Sequence, residues 1–417
     1  MMVFTKHKVM VLAVLVFCFM FLQVRPRSAE ARTKGAQGRA KQTEAPPAAL
    51  LKGITVFGGL PAPFLLDAKA ALLVDAKTGA LLYAYNEHEQ MQPASLAKLM
   101  TFYLALEAVQ AGRVKLDTMV AVSEQAWRLS MDSSVSRMFL RVGETVSVQD
   151  LLYGLMVSSG NDAAVALAEH LGGSTDAFTG TMNEKAKELG LTESRFGNPD
   201  GLPVPGQHTT ASDMAILARA LLDRFPDAVT YTGTKEFTFQ KIRQPNFNSL
   251  LFHDARVDGL KTGHVREAGY HLVATAREGE MRLIASVLGT PNSEKRRLET
   301  EKLLSWGFRT FRTVTLDWKK ETPESLRVYG GEADQVAVGP DATPWVTVPK
   351  GQEKGLGVKA TFPSMHLVAP VSKGAVVGEL TITTDGNPLS SIPIKTQAEV
   401  GPGGFFKRLI DRVKLAF

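Results

Sequence analysis

The sequence predicts an α/β fold: a mostly antiparallel sheet flanked by helices, then a small all-β domain and a terminal amphipathic helix. Three observations predict it. From about residue 68 to 313, apolar segments of helical period are interspersed with hairpin-like strands. After about Asp317 the texture changes to short β-branched stretches punctuated by Gly, Pro and Asp. The last stretch places apolar residues three and four apart, with basic residues opposite. The chain has 417 residues, 44% of them hydrophobic and 22% charged, an ordinary globular composition with room for two or three domains.

The N-terminus reads as a segment outside the fold. Lys6, His7 and Lys8 precede an apolar run over 9–22. A run of about fourteen residues is short for a spanning helix. Ala29-Glu30-Ala31 supplies a small-x-small cleavage pattern, so 1–31 is expected to be a secretory signal. Cys18 is the only cysteine and is expected to leave with the signal. Residues 32–57, basic near their start and containing Pro46-Pro47, read as a linker.

The remaining elements follow in order. Residues 71–74 and 80–85 form a hairpin around Asp75-Ala76-Lys77-Thr78-Gly79. Its Lys-Thr-Gly string lies in a turn and is assigned no chemistry. Residues 96–111 follow a helical period with one apolar face. Segments 147–156 and 162–171 read as helices flanking Ser159-Gly160-Asn161. Two more helices follow: 175–189, closed by Gly190, and 213–225, capped by Ser212. Residues 270–277 and 281–288 read as paired strands, and 293–311 as a closing helix. The main domain therefore spans 58–313, and the all-β domain, expected to be a sandwich, spans 314–400. In 401–417, Gly401-Pro402-Gly403-Gly404 reads as a hinge. The helix after it has the composition of an in-plane membrane anchor.

Three short strings carry the chemistry. Ser95 and Lys98 sit three apart at a helix start, so both side chains face one side. A serine hydroxyl needs a base, and a lysine serves as one when burial or a second cation keeps it neutral. Lys261 is the candidate second cation. Backbone N–H groups near Ser95 could stabilise an oxyanion. Ser159 can relay a proton and Asn161 can hold a substrate amide. Lys261-Thr262-Gly263 is expected to open an edge strand on which an extended substrate could add. Gly263 leaves room for a ligand backbone. Thr262, Lys261 and, on the closing helix, Arg296 can bind a terminal carboxylate.

The order of Ser-x-x-Lys, Ser-Gly-Asn and Lys-Thr-Gly resembles the active-site triplet of penicillin-binding proteins and serine β-lactamases. The strings Met91-Gln92-Pro93-Ala94-Ser95-Leu96-Ala97-Lys98, Ser158-Ser159-Gly160-Asn161-Asp162 and Asp258-Gly259-Leu260-Lys261-Thr262-Gly263-His264 are similar to those of low-molecular-mass penicillin-binding proteins. Leu303-Leu304-Ser305-Trp306-Gly307-Phe308 fits the closing helix of that family. The resemblance, to serine-type D-alanyl-D-alanine carboxypeptidases of the type-5 kind, covers almost everything after the signal. It implies that family's fold, with Ser95 as acylated nucleophile and Lys98 as base. Ser159, Asn161 and Lys261 would form the relay and electrostatic frame. Ser95 and His264 would give the oxyanion N–H groups, and Thr262 and Arg296 would hold the carboxylate. Leu96 departs from the small polar residue usual there and could alter the pocket.

The expected substrate is the peptidoglycan stem pentapeptide, with β-lactams as mimics. The expected location is periplasmic, at the outer face of the inner membrane through the terminal helix. The net charge of +6 suits an anionic surface, and no basic patch with interleaved aromatics points to nucleic acid. No metal or other cofactor is expected. Three alternatives are weighed. A DD-endopeptidase would use the same residues. A non-catalytic binder should have lost Ser95, Lys98 or Lys261. A class A β-lactamase needs a Glu-x-x-Leu-Asn string, which Glu193-Ser194-Arg195-Phe196-Gly197-Asn198 misses.

Overall fold

The computed structural model describes residues 54–56 and 64–416. The expected signal with Cys18, and the expected linker apart from 54–56, lie outside them. Those three residues correct the linker boundary. Ile54–Val56 is a strand, β1, because its backbone pairs antiparallel with 83–85.

The hairpin forms as β2 (Ala70–Asp75) and β3 (Leu81–Tyr85). A 3-10 turn over Ala94–Ala97 then leads into α1 (Lys98–Gln110). The ladder of β4 (Met119–Ala121) and β5 (Thr145–Ser147) brackets α2 (Glu124–Met131). Next come α3 (Val148–Met156), α4 (Asn161–Gly172), α5 (Thr175–Glu188), α6 (Ala211–Arg224) and α7 (Ala228–Thr232). Strands β6 (Glu236–Phe239) and β7 (Ile242–Pro245) make a small hairpin. Then β8 (Val257–Val265), β9 (Gly269–Glu278), β10 (Met281–Thr290) and α8 (Ser293–Thr310) complete the main domain.

The central sheet runs β1-β3-β2-β10-β9-β8, antiparallel throughout, with β8 at one edge. Both faces are buried. Leu72, Val273, Ile284 and Leu288 pack with α1, α4 and α6, while Leu73, Leu272, Leu283 and Val287 pack with Leu303, Leu304 and Phe308 of α8. The period-2 alternation of side chains makes this division. Side-chain caps start the helices: Ser123, Ser147, Ser174, Thr210 and Asn292 each accept from a backbone N–H in the first turn. Such a cap is worth about 1 kcal/mol. Thr210, not Ser212, caps α6, because the helix begins two residues earlier than its apolar period. Helix α1 also departs from expectation: Lys98 through Leu106 are all buried, so it runs through the core rather than across it with one dry face.

The all-β domain contains β11 (Phe311–Thr315), β12 (Ser325–Tyr329), β13 (Gln335–Gly339), β14 (Trp345–Pro349), β15 (Leu356–Thr361), β16 (His366–Val368), β17 (Val376–Thr384) and β18 (Asn387–Thr396). Its six-stranded sheet runs β15-β17-β18-β13-β12-β16, and β11 pairs with β14. Val346 and Val348 of that pair pack on Ile382 of the larger sheet. Because β11 begins at Phe311, the last residues of the expected 58–313 span already pair into this domain.

The turn 75–79 joins the two domains. The buried Asp75 carboxylate accepts from Thr313 Oγ1, from Thr347 Oγ1 at 3.0 Å, and from the N–H groups of Lys77 and Thr78. Lys77 Nζ lies 3.1 Å from the centroid of the Trp345 ring, and the Thr78 and Thr347 hydroxyls are 2.6 Å apart. The Lys-Thr-Gly string without chemistry is thus part of a domain junction.

The final helix, α9 (Phe405–Ala416), corrects the hinge expectation. Gly401 and Gly403 are hydrogen-bonded to the 330–332 loop, so the Gly-Pro-Gly-Gly segment is held rather than free. Helix α9 docks through its polar side. Asp411, buried, accepts from Gly330 N at 2.8 Å, and Lys407 pairs with Asp334 at 2.5 Å. Phe405, Phe406, Leu409, Ile410 and Val413 remain exposed. Among the described residues no helix is long and apolar enough to cross a membrane.

Candidate active site

The three strings converge on one cleft of about 360 Å³, lined among others by Ser95, Ser159, Asn161, Thr262, Gly263, His264 and Arg296. Ser95 lies in the 3-10 turn before α1, and Ala94 beside it has φ of 49°. Ser159 sits in the loop between α3 and α4 with φ of 55°. Left-handed backbone at non-glycine residues costs about 1–3 kcal/mol each and persists where the surroundings over-determine it. Ser159 lines the cleft itself, and Ala94, buried, immediately precedes the Ser95 that does.

Lys98 is the hub. Its Nζ donates to Ser95 Oγ at 3.0 Å, Asn161 Oδ1 at 2.5 Å and the Asp200 carbonyl at 2.5 Å. Burial lowers its pKa to about 8, partly opposed by Asp200 and Asp162. Burial, rather than the charge of Lys261, is what draws Lys98 toward neutrality. Lys261 is itself held well below the usual lysine range, first by burial and then by Lys98 and Arg296. Its Nζ donates to Ser159 Oγ at 3.0 Å and to the Thr262 carbonyl at 3.1 Å. Two serine–lysine pairs, Ser95–Lys98 and Ser159–Lys261, therefore face one cavity.

Strand β8 forms one wall. Lys261-Thr262-Gly263 lies in mid-strand rather than opening it, and β8 is the free edge of the sheet. Gly263 sits close to the turn before α1: a Cβ there would lie 3.1 Å from the Pro93 carbonyl and 3.3 Å from Ala94 Cβ, so its neighbours would have to give by a few tenths of an ångström. His264 stacks on Tyr270, ring centroids 3.9 Å apart, and burial lowers its pKa. Arg296 Nη2 donates to the Phe247 carbonyl at 3.2 Å, and burial lowers its pKa to about 10. Leu96 is fully buried in the hydrophobic core and is not among the cleft's lining residues, so the departure at that position does not shape the pocket.

Several participants carry no sequence signal of their own. The 198–202 loop delivers the Asp200 carbonyl to Lys98. It can do so because Gly201, at φ of 82°, lets the backbone pass Ala94; a Cβ there would fall 1.8 Å from the Ala94 carbonyl oxygen. His271 is buried, with Nδ1 accepting from Gly289 N and Nε2 therefore donating to the Gln92 carbonyl at 3.1 Å. That neutral imidazole, its pKa lowered to about 4, ties β9 to the segment before Ser95. Buried Asp162 accepts from Ser130 Oγ and from Met138 and Leu140 N–H, fixing the 134–136 rim. Phe247, Tyr270 and Leu202 complete the wall.

Glu193, the glutamate of the near-miss string, points elsewhere: His88 Nδ1 lies 2.6 Å from its Oε2. It is absent from the cleft lining. Among the described residues no cluster of His, Cys, Asp and Glu could hold a metal ion.

Comparisons with known proteins point to one family. A family model described as D-alanyl-D-alanine carboxypeptidase matches residues 60–292, and one for the C-terminal domain of penicillin-binding protein 5 matches 311–402. D-alanyl-D-alanine carboxypeptidase DacC of Escherichia coli is 43% identical over 355 residues, 84% of this chain and 89% of that protein. The structure of penicillin-binding protein 5 from Haemophilus influenzae superposes with a TM-score of 0.75 at 38% identity, covering 82% of this chain and 99% of that one. Penicillin-binding protein D2 from Listeria monocytogenes, solved in a cefotaxime-bound form, matches with a TM-score of 0.54 at 34% identity, covering 59% of this chain and 98% of that one.

Proposed function

The chain belongs to the D-alanyl-D-alanine carboxypeptidase family, and from that premise we propose that Ser95 is the nucleophile with which it removes the terminal D-Ala of peptidoglycan stem pentapeptides. The protein is a penicillin-binding, serine-type carboxypeptidase. The observation that carries the assignment is the pairing of Ser95 Oγ with buried Lys98 and of Ser159 Oγ with buried Lys261 across one cleft.

Neutral Lys98 takes the Ser95 proton as Oγ attacks the D-Ala-D-Ala carbonyl. The oxyanion settles on the N–H groups of Ser95 and His264. Ser159, backed by Lys261, passes a proton to the departing amine, and D-Ala leaves. Asn161 holds Lys98 and the substrate amide. Thr262 and Arg296 hold the terminal carboxylate, and the stem peptide lies along the open edge of β8. Water then hydrolyses the acyl-enzyme. With Glu193 turned away, the cleft lacks the glutamate with which class A β-lactamases deacylate, which supports a slow release of penicillin.

The expected export signal and the outward apolar face of α9 support a periplasmic protein attached peripherally to the outer face of the inner membrane. The test of the chemistry is labelling by a fluorescent penicillin with D-Ala release assayed alongside. Ser95→Ala should abolish both. Labelling that persists in the variant would move the nucleophile elsewhere.

A further inference from the structure

Helix α9 packs against β12, next to β16 at the edge of the six-stranded sheet, and a cleft of about 430 Å³ opens between the helix and the ends of these two strands. Val368, Phe405, Leu409 and Leu415 line it together with Arg408 and Arg412. Val368 is 57% exposed, and Phe406, just outside, is 78% exposed. The apolar surface of the helix is thereby continuous with the rim of the all-β domain.

The charges of this region are sorted. Lys407 is committed to Asp334, and Asp411 accepts from Gly330 N. The one carboxylate in the cleft is therefore turned onto the protein. Arg408 and Arg412 are one turn apart on the helix and both exposed. Two guanidinium groups lining one cleft with Val368, Phe405 and Leu409 match a phosphate bearing acyl chains, since guanidinium pairs bidentately with phosphate oxygens.

The geometry points to a lipid-headgroup site: the cleft between α9 and β16 receives the phosphate of an anionic phospholipid on Arg408 and Arg412, with Val368 entering the same interface as the helix. The inference rests on the membrane reading of α9 and goes beyond it, because it makes the all-β domain a second contact. The held Gly401–Gly404 segment fixes the two contacts relative to each other.

The test uses the full chain in a Cys18→Ser background, with Val368→Cys or Ile410→Cys carrying an environment-sensitive fluorophore. Vesicles containing phosphatidylglycerol should shift the emission at both positions. A shift at 410 alone would overturn the second contact and leave the helix reading intact. A shift at neither would overturn the membrane reading and this site with it. The Arg408→Gln/Arg412→Gln double variant should lose about tenfold or more of its preference for phosphatidylglycerol over phosphatidylcholine vesicles. A preference left unchanged would overturn the headgroup site.

Discussion

The cleft buries three cations, Lys98, Lys261 and Arg296, while α9 leaves Phe405, Phe406, Leu409, Ile410 and Val413 in water. Each region runs against solvation, in opposite senses. A buried cation loses hydration and shifts toward neutrality; an exposed apolar face forgoes roughly 1.5–3 kcal/mol for each large side chain it could have hidden. Neither is accidental packing, since specific hydrogen bonds impose both. Lys98 is drawn inward by Ser95, Asn161 and Asp200, and α9 is turned outward by Asp411 and Lys407. Natural sequences break such rules mainly where function requires it.

The comparison breaks most visibly at Lys98. Lys98→Met should cut penicillin acylation by about 10³-fold or more, within reach of general-base catalysis. Its melting temperature should stay within about 3 °C of wild type, because a costly buried cation goes with the base. A folded variant acylating at wild-type rate would remove Lys98 from the mechanism.

Gly201→Ala should come next. Its Cβ would strike the Ala94 carbonyl oxygen and push the Asp200 carbonyl from Lys98. Acylation should slow by about 10²-fold, the scale set by small misplacements near reacting atoms. Stopped-flow labelling reads this directly, and an unchanged rate would show that the loop contact is dispensable.

The pH profile sharpens the same point. Lys98 acts as base only when neutral, so acylation should rise with pH and level off above about 8. The linkage has a definite sign. The folded pKa lies below the ordinary lysine value of 10.5, so the unfolded chain binds more protons between about 8 and 10.5. Lys98 therefore adds stability as pH rises through that window. Denaturant titrations of wild type against Lys98→Met should differ there in slope; parallel curves would count against the lowered pKa.

The smallest effect belongs to the exposed face. Ile410→Ser should change unfolding free energy by no more than about 0.5 kcal/mol and leave D-Ala release in solution unchanged. A large loss would mean that the face is packed after all.

Much of the site was legible because its chemistry is local in sequence. Ser95 and Lys98 share a turn, and Lys261 to His264 are consecutive on one strand. What escaped depends on long-range geometry. Asp200 acts through a backbone carbonyl that no side-chain pattern reveals. His271 matters through two bonds to residues distant in sequence. The fold was legible by period, although α1, buried all round from Lys98 through Leu106, hides more than the one apolar face its period suggested. The terminal helix was read correctly as amphipathic and wrongly as hinged, because glycines and a proline suggest freedom until their hydrogen bonds are seen.

Asp75 gives the two domains a shared anchor. Its backbone belongs to β2, while its carboxylate grips β11 and β14, so a pull on the all-β domain reaches β2 as well as α8, which runs directly into β11. From there it crosses β10 and β9, ladder by antiparallel ladder, to β8 and Lys261. The strand on which the substrate would lie is thus joined to the all-β domain through a continuous series of hydrogen-bonded ladders.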